Sequence, residues 1–297
     1  MIPRMNAPFF FSFTMPLMLL VSLSCTRPGG DGLFEKAEGR GVVPPELEEA
    51  SALVASYGNP DMLWTLNDSG NPAEIFLIDD RGAIVMACTL QKVKNRDWED
   101  IAIGPGPGRS KYLYIGEVGD NEAKYDYKYL YRLAEPTFRG ERGISIEKFD
   151  ILVVSLPDGK RDMEAIAIDQ VTGDLYLISK REEQVHLYRS PAATLVPGDT
   201  LVPKKVGTLP FHNVVAADFS PDAKELLVKT YDEIHYWPRP DSLSIPQVLQ
   251  TTPISLAYKR EPQGEAIAWA LDGMGFYTLS ESVEGQAATL YFYKKVK

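Results

Sequence analysis

The chain has 297 residues, 44% apolar and 24% charged: enough for one large core and too mixed for a disordered, collagenous or coiled-coil protein. Lys and Arg number 31 against 41 Asp and Glu, a formal net charge of −10, which repels phosphate and excludes general nucleic-acid binding. Gly (23), Pro (22) and Tyr (15) suit short strands joined by tight turns.

Residues 1–24 are predicted to be an export signal. They carry one charge, Arg4, and the apolar run from Phe9 to Leu23 is too short and too broken by Pro16 to cross a membrane. Ser24 before Cys25 resembles a bacterial lipobox, with Cys25 as the lipidated residue. Ser22 stands where a larger aliphatic is usual, and plain secretion and a retained anchor are the alternatives. The segment 25–40, with Gly29, Gly30, Gly32 and Gly39, is expected to be a flexible tether, and residues 41–297 a single domain. With Cys25 lipidated, Cys88 has no disulfide partner and is expected to be a small buried strand residue.

Four short segments recur: Glu49-Ala50-Ser51-Ala52-Leu53, Glu99-Asp100-Ile101-Ala102-Ile103, Glu164-Ala165-Ile166-Ala167-Ile168 and Glu265-Ala266-Ile267-Ala268-Trp269. A degenerate copy starts at Val215, aligned by its turn: Ser220-Pro221-Asp222-Ala223 matches Ala270-Leu271-Asp272-Gly273. The spacings are 50, 65, 51 and 50 residues. Alternating runs follow each copy, as in Ala50–Ser56, Met62–Leu66, Glu74–Asp79 and Ala83–Leu90, bounded by Gly, Asp, Asn and Pro. Four strands per such period describe an all-β propeller blade, and five units a five-bladed ring. The last unit runs out after three strands, so a strand near Arg40–Val43 is expected to complete it and cover an edge. The long second unit has room for an outer hairpin over Ile144–Leu156, and a six-bladed ring and a pair of β-sandwiches are the competing arrangements.

In a propeller the first strand of each blade lines the channel, so Glu49, Glu99, Glu164 and Glu265 are expected to form a carboxylate ring at one mouth, interrupted by Val215. Crowded carboxylates need a cation, protons or hydrogen-bond donors. Oxygen-only donors suit a hard cation such as Ca²⁺, whereas His186, His212 and His235 show no zinc spacing. A Glu starting an inner strand can also simply accept backbone N–H bonds and lock the ring. Loops after each second strand share this mouth. They bring Asn67, Asp68, Asp120 and Asn121 as further oxygens and Lys180, Arg181 and Lys229 as positive charges, so the mouth is expected to have an acidic and a basic side. Tyr125, Tyr127, Tyr129 and Tyr131 alternate as if along one strand, and Trp98, Trp237 and Trp269 are expected between blades.

At Asp97-Trp98-Glu99-Asp100-Ile101-Ala102, Asn67-Asp68-Ser69-Gly70, Gly116–Asn121 and Pro262–Ala268 the chain resembles secreted bacterial propeller proteins of unassigned activity. It resembles phytase-like and gluconolactonase-like (regucalcin-type) propellers more distantly. That second resemblance implies Ca²⁺ or another divalent ion at the mouth, and makes Glu49, Asn67, Glu99, Asp120, Asn121, Glu164 and Glu265 the positions to test. Val215 and the smaller blade count depart from the pattern, and no general base can be assigned. The expectation is an exported, envelope-associated monomer, touching the membrane only through its lipid. Its mouth would bind a small molecule or an envelope protein. A metal-dependent hydrolase of a phosphoester or lactone is the alternative.

Overall fold

The computed structural model describes Met1, Gly30 and residues 32–296; the predicted signal and Cys25 lie outside the described residues. After β1 (Glu38–Val42) the first repeat forms β2 (Ala50–Ala55), β3 (Met62–Asn67), β4 (Glu74–Asp79) and β5 (Ile84–Leu90). The second gives β6 (Trp98–Pro105), β7 (Lys111–Glu117), β8 (Lys128–Ala134), β9 (Gly143–Ile146) and β10 (Asp150–Val154). The third gives β11 (Met163–Ile168), β12 (Leu175–Ser179), β13 (Val185–Ser190), β14 (Thr200–Leu201) and β15 (Lys204–Leu209). The fourth holds β16 (Val214–Phe219), β17 (Glu225–Thr230), β18 (Ile234–Pro238) and β19 (Ile254–Leu256), with a one-turn helix α1 (Ile245–Val248) before β19. The fifth holds β20 (Ala266–Trp269), β21 (Gly275–Leu279) and β22 (Thr289–Lys294). Among the described residues no helix is long and apolar enough to cross a membrane.

These strands make five sheets, the blades of a β-propeller. The turn from first to second strand spans the same length in blades three, four and five, closed by Asp169 N–Asp174 O, Ser220 N–Glu225 O and Ala270 N–Gly275 O bonds. Each needs a left-handed residue, supplied by Gly173 (φ 76°), Ala223 (φ 56°) and Gly273 (φ 68°). The first strands lie side by side around the axis: β2 on β6, β6 on β11, β11 on β16, β16 on β20 and β20 on β2.

The core is divided the same way. Five apolar clusters fill the five blade interfaces, including one shared by the fifth and first blades through Leu279, Leu290, Leu53 and Leu63. Cys88 is buried in the cluster between blades one and two, and Trp98, Trp237 and Trp269 are each buried at an interface. Because the first and second strands of the blades are covered on both faces by neighbouring blades, burial of this apolar surface holds the ring together.

Three features differ from the sequence expectation. The 144–156 segment is not a hairpin: β9 crosses to the first blade and pairs parallel with β5, while β10 pairs antiparallel with β8 in its own blade. A second strap, β14, pairs parallel with β10 of the preceding blade. Each strap covers the unpaired edge of a fourth strand, which is why the long units fit without a sixth blade. At the other end of the chain, β1 pairs antiparallel with β22 as the outer strand of the fifth sheet. From Phe34 onward the segment expected to be tether is instead held on this sheet: Phe34 bridges Lys295, and its ring packs against Phe276, Trp269 and Tyr236. Finally, β8 starts at Lys128, so Tyr125 and Tyr127 lie in the preceding loop and only Tyr129 and Tyr131 are strand residues.

Candidate functional site

The first strands carry a repeated irregularity at one end of the channel. Pairing with the second strand slips between Ala50 and Ala52, Trp98 and Asp100, Met163 and Ala165, and Val214 and Ala216. The extra residue of each bulge is therefore Ser51, Glu99, Glu164 and Val215, and Glu265, next to Ala266 at the start of β20, holds the fifth place. Glu99, Glu164 and Glu265 are all buried. Glu49 is corrected: it lies two residues before the ring position, which Ser51 occupies, and is exposed on the rim with the Asn71 amide donating to it.

The position two residues earlier makes a second tier, and in blades two and three it holds Asp97 and Asp162. Sequence reasoning passed over both, although Asp97-Trp98-Glu99 and Asp162-Met163-Glu164 repeat one Asp-x-Glu pattern. Two groups result. Carboxylate oxygens of Asp68, Asp97 and Glu99 lie within 4.8 Å of one another, and so do those of Glu99, Asp162 and Glu164. Glu99 belongs to both, and each group is close enough to hold a metal ion. The donors are all carboxylate, which favours a hard cation.

The electrostatics of this crowding are visible in the proton affinities. Burial, then Glu164 and Asp68, hold the Glu99 carboxyl well above the carboxylate range. Burial raises Glu164 too, against the Lys180 ammonium and the adjoining Glu99 carboxyl. Burial pushes Asp68 up to about 6, reinforced by Glu265 and Asp97, and raises Asp97 beside Asp162. Glu281, at the end of β21, is pushed to about 7 by burial and by Glu265, Asp68 and Glu49.

The positive groups are distributed otherwise than a basic side would require. Lys180 Nζ donates to Glu164 Oε1 at 2.8 Å, and Arg181 Nε to Asp162 Oδ2 at 2.5 Å. Lys229 does not face the mouth: it is wholly buried between blades four and five, where its Nζ donates to the Gly264 carbonyl, and burial lowers its pKa to about 8. Asp120 is also structural. Its carboxylate accepts the Lys124 and Tyr125 amides at 2.8 and 2.9 Å and pairs with Lys128 at 2.9 Å. Burial would raise its pKa, but these contacts outweigh it and the carboxyl sits below its ordinary value. Asn121 is exposed and contacts Arg181. Asn67 is buried, and its amide donates to the Glu46 carbonyl at 2.8 Å.

Glu164 and Asp162 are thus ion-paired, whereas Asp68, Asp97 and Glu99 form no ion pair among the described residues; Lys180 acts on Asp68 and Glu99, and Arg96 and Lys128 on Asp97, without direct pairing. Gly119 stands against them; a Cβ there would overlap the Asp97 and Glu99 carboxylates. Across the gap left by Val215, the Tyr231 hydroxyl donates to Glu265 Oε1 at 2.5 Å and its ring lies 5.1 Å beneath Lys180 Nζ. At the opposite end of the channel Lys111 Nζ, 3.9 Å above the Tyr57 ring, donates to Gln170 Oε1 at 2.6 Å and bridges blades two and three.

Comparison with protein-family models and with curated proteins found no match to this sequence. Among solved structures the fold is similar to one described as luciferin-regenerating enzyme, with 10% identity, a TM-score of 0.45, and coverage of 88% of this chain and 95% of that one.

Proposed function

We propose that the protein is an exported, envelope-associated propeller whose carboxylate-lined mouth binds Ca²⁺ and, through it, a small ligand or a partner protein. The observation that carries this reading is the unpaired triad of Asp68, Asp97 and Glu99, three converging carboxylates raised in proton affinity by burial and by one another. Such a group gains by exchanging a proton for a metal ion. Carboxylate oxygens would supply part of the shell of six to eight oxygens that Ca²⁺ takes, leaving positions for water or a ligand. An anionic ligand would then meet the cation rather than a basic wall, since Lys180 and Arg181 each already face a carboxylate.

The melting midpoint in millimolar Ca²⁺ against a chelator tests this reading, because an ion that binds only the folded chain must raise it. A midpoint unmoved by Ca²⁺, Mg²⁺ or Mn²⁺ would refute it. Export and anchoring are tested separately by fractionating cells and comparing Cys25→Ala with the natural chain; a soluble wild-type protein in the cytoplasm would dispose of them.

A second reading, metal-dependent hydrolysis of a phosphoester or lactone, draws on the Glu99–Glu164 pair. A carboxyl with raised proton affinity beside a cation is placed to take a proton from water. Assays on p-nitrophenyl phosphate and a lactone panel with added divalent ions distinguish the two, turnover lost in Glu164→Gln favouring the enzyme.

A further inference from the structure

A cavity of about 240 Å³ opens where the fifth blade meets the first, at the end of the strands away from the mouth. β2 and β20 start at the mouth, and the cavity is lined from their far ends and the turns that follow, by Ala55 and Asp61 of the first blade and Ala270 and Asp272 of the fifth. Tyr277 on β21 and Phe292 on β22 form one wall. They are cross-strand partners, with ring centroids 4.7 Å apart and planes tilted by 43°. Leu63 and Leu271 add apolar surface. Asp61 and Asp272 are the only charged side chains of the lining, one from each blade. Both are exposed and neither is ion-paired among the described residues. Their field reaches the aromatic wall: burial raises the Tyr277 pKa, Arg40 opposes this, and Asp80, Asp272 and Asp61 reinforce it. Arg40 lies 5.6 Å from the Phe292 ring centroid, but it is outside the lining and pairs with Asp80 at 2.7 Å and Glu38 at 3.2 Å.

We propose that this cavity binds a small organic cation, an ammonium group on an apolar body, with the charge between Asp61 and Asp272 and the body against Tyr277 and Phe292. Two carboxylates without a lysine or arginine in the lining attract a cation and repel an anion. Aromatic faces attract an ammonium through their quadrupole and gain further from its apolar substituents. A hydrated metal ion would find few oxygen donors here and would leave the rings and leucines unused. The volume falls below the roughly 300–1,000 Å³ of drug-sized pockets, which limits the ligand to about the size of a single-ring amine. Because the lining comes from the first and last blades, the ligand would also bridge the seam at which the ring closes, and so stabilise the folded chain.

Calorimetric titration and melting curves of the purified protein with benzyltrimethylammonium chloride test this, with benzyl alcohol and benzoate as neutral and anionic counterparts. The ammonium probe is expected to bind and to raise the melting midpoint, benzyl alcohol to bind about tenfold more weakly or worse, and benzoate not at all. Asp61→Asn combined with Asp272→Asn should weaken the probe by about tenfold or more, and Tyr277→Leu by about threefold or more. The double variant is expected to fold, since both acids are exposed and asparagine tolerates the left-handed backbone of Asp61, φ 61°. If Tyr277→Leu does not fold, the double variant alone decides. Asp97→Asn, at the mouth, should leave probe affinity within about twofold. Binding lost in Asp97→Asn and kept in the double variant would put the organic cation at the mouth and overturn the proposal. Equal affinity for benzyl alcohol, or no binding of the ammonium probe, overturns it as well.

Discussion

Gly119 packs so closely on Glu99 that a methyl group in place of its hydrogen would collide with the Glu99 carboxylate and with that of Asp97. The loop after β7 is therefore one wall of the candidate cation seat. Its approach depends on glycine for space rather than for a left-handed backbone.

Gly119→Ala should consequently push the two carboxylates apart. Its Ca²⁺ affinity is expected to fall by about tenfold or more, with a smaller loss of thermal stability, since the loop remains rooted by Asp120. Calorimetry beside a melting curve checks this; unchanged affinity would place the ion elsewhere.

Glu49 gives the opposite expectation. It is exposed and two residues away from the ring position, so Glu49→Gln should leave Ca²⁺ affinity within about threefold of the natural chain. A loss as large as that from Asp97→Asn would contradict the register that puts Ser51 in the ring.

Asp218 tests the electrostatics of the channel away from the mouth. It is half-buried, accepts the Trp269 amide at 2.8 Å, and the low-dielectric surroundings raise its pKa from 3.8 to about 8. A raised acid binds a proton in the folded chain that the unfolded chain has already released. Stability is therefore full at low pH and declines as pH rises between about 4 and about 8. Asp218→Asn should lose less stability than the natural chain over that interval, read as the difference between two series of chemical denaturation curves. Parallel curves would mean that Asp218 is ionised in the fold.

Phe34 tests where the domain begins. Its ring centroid is 4.9 Å from Phe276 and 6.0 Å from both Trp269 and Tyr236. Phe34→Ala should cost about 2–4 kcal/mol and lower the melting midpoint by roughly 5 °C or more. An unchanged midpoint would return residues 32–40 to the role of a tether.

Much of the blade architecture was legible before the structure. Alternation in Met62–Leu66 and Glu74–Asp79, and the Asp-Gly type turns, are local signals that act over a few residues, and the strands formed where those signals lie. The repeat also singled out Glu99 and Glu164, whose carboxylates the structure brings into one group. It failed at Glu49, because similarity of Glu49–Leu53 to Glu99–Ile103 is a matter of letters, whereas the ring position is set by where the bulge falls against the second strand. It failed for Lys229 and Asp120 because a charged residue in a loop sequence says nothing about which neighbour will claim it. Lys229 is taken by the Gly264 carbonyl, and Asp120 by Lys128 and two amides of its own loop.

The linear order of residues determined that this chain builds β-strands in five similar units and that acidic side chains return at one place in most of them. Folding alone decided which carboxylates converge, that Glu99 serves two groups, and that Lys180 and Arg181 pair with Glu164 and Asp162. The division has a physical reason. Strand period and turn chemistry act between near neighbours, while the partners of a buried charge come from other blades and are set by pairing register, where a one-residue bulge exchanges one side chain for the next.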